Sequence, residues 1–181
     1  MLNVMTLLVR IIDEINEHVG RVASWLTVFM VLTVTVIVVL RYVFAIGFIW
    51  MQESYVWAHG MVFMLGAGYT LLHDGHVRID LFYRSASKTY KDIVNIIGSV
   101  IFVLPVCWII FDKSINYVVR SFDLNESSAE AGGMPYLWIL KSMIWAFAIL
   151  LSMQAVSLTL RSVLSLAGRD VEPNYQDEGT A

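Results

Sequence analysis

The chain has 181 residues, of which 58% are hydrophobic and only 15% are charged, with a mean hydropathy of +0.69. A soluble domain of this size carries roughly a quarter charged residues, so the composition indicates a membrane protein. The net charge of −3 excludes the basic surface that a nucleic-acid partner requires. With one cysteine, Cys107, the chain can form neither an intrachain disulfide nor a CxxC metal motif.

The segment before the first apolar run has the pattern of an amphipathic helix. Over residues 4–19, apolar side chains recur on one helical face and most of the charged side chains fall on the other. This pattern predicts an interfacial helix that lies along the membrane. It also fits a helix that packs against a partner protein outside the membrane. The apolar face consists of Val4, Leu8, Ile11, Ile12, Ile15 and Val19.

Four apolar runs follow, and each has the length of about 20 residues that a membrane-spanning helix needs. They predict spans at about 22–44, 54–73, 93–111 and 135–160, with Pro135 in the first turn of the fourth span and a loop over 112–133 before it. The prediction is an all-α membrane protein with a single four-span domain over residues 1–168. The polar tail, 169–181, is predicted to be disordered.

The lysines and arginines predict the orientation of the spans. With the N-terminus in the cytoplasm, eight of the 12 basic residues fall on the cytoplasmic side and four on the other. By the positive-inside rule, both termini are then cytoplasmic. The four on the outer side are Arg41, Lys113, Arg120 and Lys141.

Charged residues also lie at the predicted outer ends of the spans. Arg41 ends the first span, Glu53 begins the second, Asp112 follows the third and Lys141 interrupts the fourth. Ionisable groups at membrane depth are functional candidates, so these four and Trp50 are predicted to form a polar network or to dock a partner chain. The alternatives are that Arg41 and Asp112 reach the lipid headgroups and that Trp50 belongs to an interfacial aromatic belt.

The stretch "LLHDGHVRID", residues 71–80, places two of the 4 histidines close together. A structural zinc site would need four ligands, usually including thiolates, and no cysteine lies nearby. We therefore predict a cytoplasmic turn at the end of the second span rather than a metal site or catalytic site. The residues of the predicted turn motif are Asp74, Gly75, His76 and Asp80.

A haem-bearing four-helix membrane anchor is an alternative from another functional class. Bis-histidine haem requires ligands on facing helices. His59 and His73 both fall on the second predicted span, and the other three spans contain no histidine. An orphan four-span scaffold is a further alternative. No internal repeat of the kind found in self-sufficient transporters is evident.

Short motifs follow one another along the predicted spans and loops: "WMQE" at 50–53, "GAG" at 66–68, "GHVRID" at 75–80, "SSAEAGGMP" before the last span and "SLTLRSVLSLAG" at its end. Their order resembles that in the small membrane subunit of tripartite ATP-independent periplasmic (TRAP) transporters, the DctQ-like small permease. The resemblance covers roughly residues 20–168. Gln52 stands where the family often has the first of two acids, so only Glu53 remains for any shared role.

The resemblance implies a non-catalytic subunit that packs against a large DctM-like permease and stabilises it in the membrane. The large permease would carry the substrate and sodium sites, and a periplasmic DctP-like solute-binding protein would deliver an organic acid. The small subunit itself would then bind no substrate, metal or cofactor, although the complex would use a sodium gradient. Its remaining contacts would be with membrane lipids.

Overall fold

The computed structural model describes residues 2–76 and 86–171, so Asp80 and most of the predicted tail lie outside the described residues. The described chain is helical and contains no strand, which confirms the all-α prediction. Its α-helices are α1 (Leu2–Val43), α2 (Ile49–Leu72), α3 (Lys88–Ile97), α4 (Leu104–Asp123) and α5 (Trp138–Leu166). A six-residue π-helical segment, Gly98–Val103, joins α3 to α4.

The structure does not contain a separate interfacial helix at residues 4–19. That segment is the beginning of α1, which continues without a break for 42 residues, or about 63 Å at the usual rise per residue. Gly20, at the predicted boundary, is the only glycine in α1, and one glycine lowers helix stability by just ~1 kcal/mol. The helix ends at Val43, two residues before Ala45 takes a left-handed backbone conformation (φ 56°).

The polar face of the amphipathic segment is buried in the bundle, whereas an interfacial helix would turn that face to solvent. The residues that the segment buries recur every three or four positions and include Asp13 and Asn16, which are 3% and 0% exposed. Several residues of the predicted apolar face, among them Val4 and Ile11, are instead exposed. The polar side of α1 therefore packs into the bundle, and its apolar side is left for the membrane or for another protein. The buried stripe is Val9, Asp13, Asn16, Gly20 and Ala23.

The other helices differ from the predicted spans mainly at the end of the molecule that the sequence predicts to be outer. The third span does not stop near residue 111, because α4 continues to Asp123 and ends before Asn125 (φ 48°). The last helix begins at Trp138 rather than at Pro135. Tyr136, between Pro135 and Trp138, has φ 63°, which is incompatible with a right-handed helix. The predicted loop over 112–133 is thus replaced by a shorter connector, residues 124–137.

Three helical stretches in the described residues are long and apolar enough to cross a membrane: Asn3–Val43, Lys88–Asp123 and Trp138–Leu166. The predicted second span, α2, has 24 residues, or about 36 Å, which is enough length to cross. It carries glutamine, glutamate, histidine and three glycines, and these residues lower its hydropathy. Its crossing of the membrane therefore stays a prediction.

The π-helical segment coincides with a proline. Pro105 lies in the first turn of α4, directly after the segment, and has no backbone N–H to donate to Ile101. A proline ring also clashes with the carbonyl group four residues before it in a regular α-helix. In the wider π turn, the Leu104 N–H donates to the Ser99 carbonyl. The Ile101 carbonyl is thereby moved away from the proline ring, and the helix can continue.

Helix α5 lies at the centre of the bundle and packs against α1, α2, α3 and α4. Glycines allow the closest approach of α1 and α2. A Cβ atom added at Gly68 would lie 2.0 Å from Asn16 Oδ1 and 3.0 Å from the Leu150 carbonyl oxygen. A Cβ atom at Gly20 would lie 2.3 Å from the Tyr69 ring. These contacts fix the spacing of the three helices around the polar residues of α1.

The close packing at Gly68 gives a testable prediction. We expect Gly68→Ala to lower the free energy of unfolding by about 1–3 kcal/mol, because the new methyl group overlaps Asn16 and backbone of α5. Gly66→Ala is the matched control, since a Cβ atom there meets nothing within 4 Å. Thermal unfolding of the purified protein in detergent measures both changes. Equal thermal unfolding midpoints for Gly68→Ala and Gly66→Ala would contradict the close contact between Gly68 and Asn16.

Candidate functional site

A buried group of polar side chains joins α1 to α5. We call it the inner polar cluster, and Asp13 is its centre. Asp13 Oδ1 accepts hydrogen bonds from Ser157 Oγ at 2.7 Å and from Gln154 Nε2 at 3.1 Å, and Asp13 Oδ2 accepts one from Arg161 Nη2. Asn16 Nδ2 donates to Gln154 Oε1 at 3.0 Å. The members are Asp13, Asn16, Gln154, Ser157 and Arg161.

The chemistry of the inner polar cluster is that of a structural clamp. A buried carboxylate is costly unless it is paired and hydrogen-bonded, and Asp13 has both a cationic partner and neutral donors. The Arg161 side chain is 17% exposed, so the ion pair is largely shielded from solvent. The donors to Asp13 named above all lie on α5. The buried carboxylate therefore keeps its hydrogen bonds only while α1 packs against α5.

A hydrogen bond between Glu17 and His73 joins α1 to the end of α2. Glu17 Oε2 lies 2.6 Å from His73 Nε2, and Glu17 Oε1 accepts a hydrogen bond from Arg21 Nε at 2.7 Å. The His73 ring also packs on the Tyr69 ring, with a centroid separation of 4.2 Å. His73 therefore connects the last turn of α2 to α1, beside the inner polar cluster.

The opposite end of the molecule has its own polar contacts, which we call the outer clasp. Glu53, near the start of α2, accepts hydrogen bonds from Ser128 Oγ and, at 2.5 Å, from the Met134 backbone N–H. Lys141 Nζ lies 2.5 Å from Glu126 Oε2 and 4.1 Å from the centroid of the Tyr117 ring. The clasp holds the connector 124–137 against α2, α4 and α5; its members are Glu53, Tyr117, Glu126, Ser128 and Lys141.

Electrostatics favour the charged form of Glu126 in the outer clasp. The hydrogen bond from Lys141 holds the pKa of Glu126 below its ordinary value of 4.5. The Lys141 side chain is 11% exposed, and Glu126 gives it a carboxylate partner at the helix end. Glu53 and Lys141 thus both hold the connector, although by separate contacts.

The structure does not bring the remaining predicted network residues into the outer clasp. Asp112 pairs with its neighbour Lys113 at 2.9 Å, on an exposed part of α4. Arg41 is exposed at the end of α1. Trp50 is 51% exposed, and its ring lies 6.2 Å from that of Phe48. Arg41 and Trp50 are therefore available for contacts outside this chain, whereas Asp112 has its partner within α4.

At the predicted turn motif, α2 ends with Leu72. The backbone N–H of Gly75 donates to the Thr70 carbonyl at 2.8 Å, as at many helix ends. The left-handed residue is Asp74 (φ 56°) rather than Gly75, since aspartate tolerates this conformation better than most side chains. His76 is exposed and is the last described residue before the gap.

The histidines do not form a metal site in the part of the chain that the structure describes. Over residues 2–76 and 86–171, no group of three or more His, Cys, Asp or Glu side chains could hold a metal ion. His73 Nε2 is bound to Glu17. The His59 ring meets the edge of the Phe63 ring, with a centroid separation of 4.8 Å.

Comparison with protein families identifies the family to which this helical chain belongs. The family model of the DctQ component of tripartite ATP-independent periplasmic transporters matches residues 30–165. The chain belongs to the DctQ family. The comparisons with curated proteins and with solved structures found no significant match. As a DctQ component, the protein is a membrane part of a three-part transport system, and this confirms the resemblance found in the sequence.

The match begins at residue 30, so two of the five members of the inner polar cluster of this DctQ component, Asp13 and Asn16, lie outside the matched region. Sequence reasoning missed the cluster because the acids of the N-terminal segment were assigned to solvent. A signal was nonetheless present. Gln154, Ser157 and Arg161 recur at helical spacing on an apolar helix, and Asp13 and Asn16 share one face of another.

The central role of Asp13 can be tested by mutation. We expect Asp13→Ala to destabilise the protein by on the order of 3 kcal/mol, because it leaves the Arg161 guanidinium largely buried without its anion. The double variant Asp13→Leu/Arg161→Met removes both charges and should recover part of the loss. Thermal unfolding in detergent provides the measurement.

Glu14→Ala is the control for Asp13→Ala, since Glu14 is the exposed acid next to it in the sequence. We expect that variant to unfold within about 0.5 kcal/mol of the wild type. If Glu14→Ala and Asp13→Ala lose similar amounts of unfolding free energy, the effect is general to this acidic segment. The interpretation of the inner polar cluster as a structural clamp would then be wrong.

Proposed function

We propose that this protein is the non-catalytic small permease of a sodium-coupled TRAP transporter that imports an organic acid. Its task is to pack against the large permease component and stabilise it in the membrane. Membership of the DctQ family supports the assignment to a tripartite system. The sodium coupling and the organic acid follow the resemblance stated above and are part of the proposal.

The main structural support is the way in which the helices are held. The inner polar cluster joins α1 to α5, Glu17 and His73 join α1 to α2, and the outer clasp joins the connector to three helices. Both ends of the bundle are therefore fixed. A body fixed at both ends suits a stationary support better than a moving transport element.

The exposed surface supports a role within a larger membrane assembly. Beyond residue 24, α1 is shielded only along a narrow stripe of half-buried side chains. Large apolar residues cover the rest, and Val31, Leu32 and Tyr42 are 66%, 61% and 80% exposed. Such a surface requires hydrocarbon or another protein around it. The stripe is Leu26, Met30, Thr33, Ile37 and Leu40.

We place the protein in the bacterial inner membrane with both termini in the cytoplasm. The basis is the excess of lysine and arginine on that side of the four predicted spans. In this orientation the inner polar cluster lies at the cytoplasmic end and the outer clasp faces the periplasm. Arg41, in the last turn of α1, and Trp50, in the first turn of α2, are then both near the periplasmic side, where they can contact the large permease.

Co-purification from native membranes tests the proposal. A tagged copy of the chain should bring down a large multi-span permease, and transport in proteoliposomes should require both proteins, a sodium gradient and a soluble solute-binding protein. We expect Arg41→Ala and Trp50→Ala each to weaken the association by roughly 5- to 10-fold, as for contacts at the edge of an interface.

Asp112→Ala is the matched control, because Asp112 pairs within α4 and lies away from Arg41 and Trp50 in the chain. Isolation of the chain without any membrane partner, or transport by the large permease alone at the full rate, would contradict the proposed function. A Soret absorption band in the purified protein would point instead to the haem-bearing anchor.

A further inference from the structure

Helix α2 carries an exposed stripe that differs from the other outward surfaces of the bundle. We define the α2 stripe as Gln52, Val56, His59 and Phe63, which recur at intervals of three or four residues and are all exposed. Val56 and Phe63 are 53% and 67% exposed. The stripe thus combines two large apolar side chains with two polar ones.

We propose that the α2 stripe is the surface on which the large permease docks, and that a transmembrane helix of that protein covers it. The inference rests on the proposed function and deepens it by naming the interface. The occupant is an apolar helix that carries at least one hydrogen-bonding side chain, placed opposite His59.

His59 is the first reason for choosing protein over lipid. Its imidazole is exposed ten residues into α2, and its recorded contact is the edge of the Phe63 ring. No residue in the described ranges forms a hydrogen bond with it. A polar ring that faces hydrocarbon is costly, and ionisable groups in membrane helices normally face protein or a water-filled cavity. A partner side chain that bonds to His59 removes that cost.

The overall character of α2 is the second reason. Its exposed stripe includes the polar side chains Gln52 and His59, whereas beyond residue 24 the exposed residues of α1 are apolar except Thr27, Thr35 and Arg41. Two sides of α2 are covered from within the chain, because Gly68 packs against Asn16 of α1 and Gly60 lies beside Leu140 of α5. Protein on the third side would complete its enclosure, whereas the exposed face of α1 is apolar enough for lipid.

A cavity at the outer end of the stripe is the third reason. It has a volume of about 550 Å³ and lies between α2 and the connector. Gln52 and Val56 of the stripe line it, together with Tyr55, Ala129 and Leu140. Its mixed polar and apolar walls suit a side chain of a docked helix, so the stripe and the cavity form one continuous surface.

Site-specific photocrosslinking in native membranes tests the inference. A benzophenone amino acid placed at Val56 or Phe63 should crosslink to the large permease. The same residue at Val31 on α1 or at Trp108 on α4, both exposed, should not. Crosslinking only from Val31 or Trp108 would place the interface elsewhere and overturn the inference, while the proposed function would stand.

Substitution of His59 supplies a second readout. His59→Leu should weaken co-purification of the large permease by roughly 3- to 30-fold, the range expected for one interhelical hydrogen bond in a membrane. His59→Gln keeps a hydrogen-bonding group and should retain most of the association. Phe29→Leu, an exposed and purely apolar change on α1, is the control and should have no effect.

The remaining outcomes also decide the matter. If the His59→Leu variant co-purifies with the large permease as well as the wild type does, the inference is overturned. Crosslinks from the α2 stripe only to lipid, or only to a second copy of this chain, would also overturn it. Failure of any large permease to co-purify with the wild-type chain would instead overturn the proposed function, and the inference would fall with it. Co-purification of the wild-type chain is therefore measured first.

Discussion

The burial of one carboxylate, that of Asp13, constrains the rest of the bundle. Its donors all lie on α5, on Gln154, Ser157 and Arg161, so the beginning of α1 must run along the end of α5. An isolated buried carboxylate costs several kcal/mol, which is comparable with the whole stability of a typical domain. Position 68 then requires glycine, because α2 passes so close to Asn16 that a larger side chain would overlap it.

This constraint determines which surfaces remain for function. With the polar face of α1 turned inward, its valine-rich and leucine-rich faces turn outward and present an apolar surface. Helix α2 is enclosed on two sides by its own chain and exposes a partly polar stripe on the third. The outer clasp fixes the connector at the other end, so these surfaces keep their relative positions. A small subunit that supports a larger protein benefits from such rigidity.

Sequence patterns predicted the parts of the fold that depend on hydropathy. The all-α character and three membrane-length helices followed from long apolar runs, and the family followed from the order of short motifs. The sequence did not predict the unbroken α1, because an amphipathic segment can turn its polar face either to solvent or to buried partners. The choice depends on Gln154, Ser157 and Arg161, which lie more than 130 positions away in the chain. Local periodicity contains no information about such distant partners. The extension of α4 to Asp123 was missed because its amphipathic end resembles a polar loop.

Thiol crosslinking between α1 and α5 tests the central claim, that the polar face of α1 packs on α5. In a chain with Cys107 replaced by serine, the pair Asn16→Cys and Gln154→Cys should be joined by a short bifunctional thiol reagent in native membranes, because these side chains are hydrogen-bonded at 3.0 Å. The pair Ile15→Cys and Gln154→Cys should not be joined, since Ile15 lies on the exposed face. Crosslinking of the Ile15 pair but not of the Asn16 pair would show that the apolar face packs inward and would contradict this account.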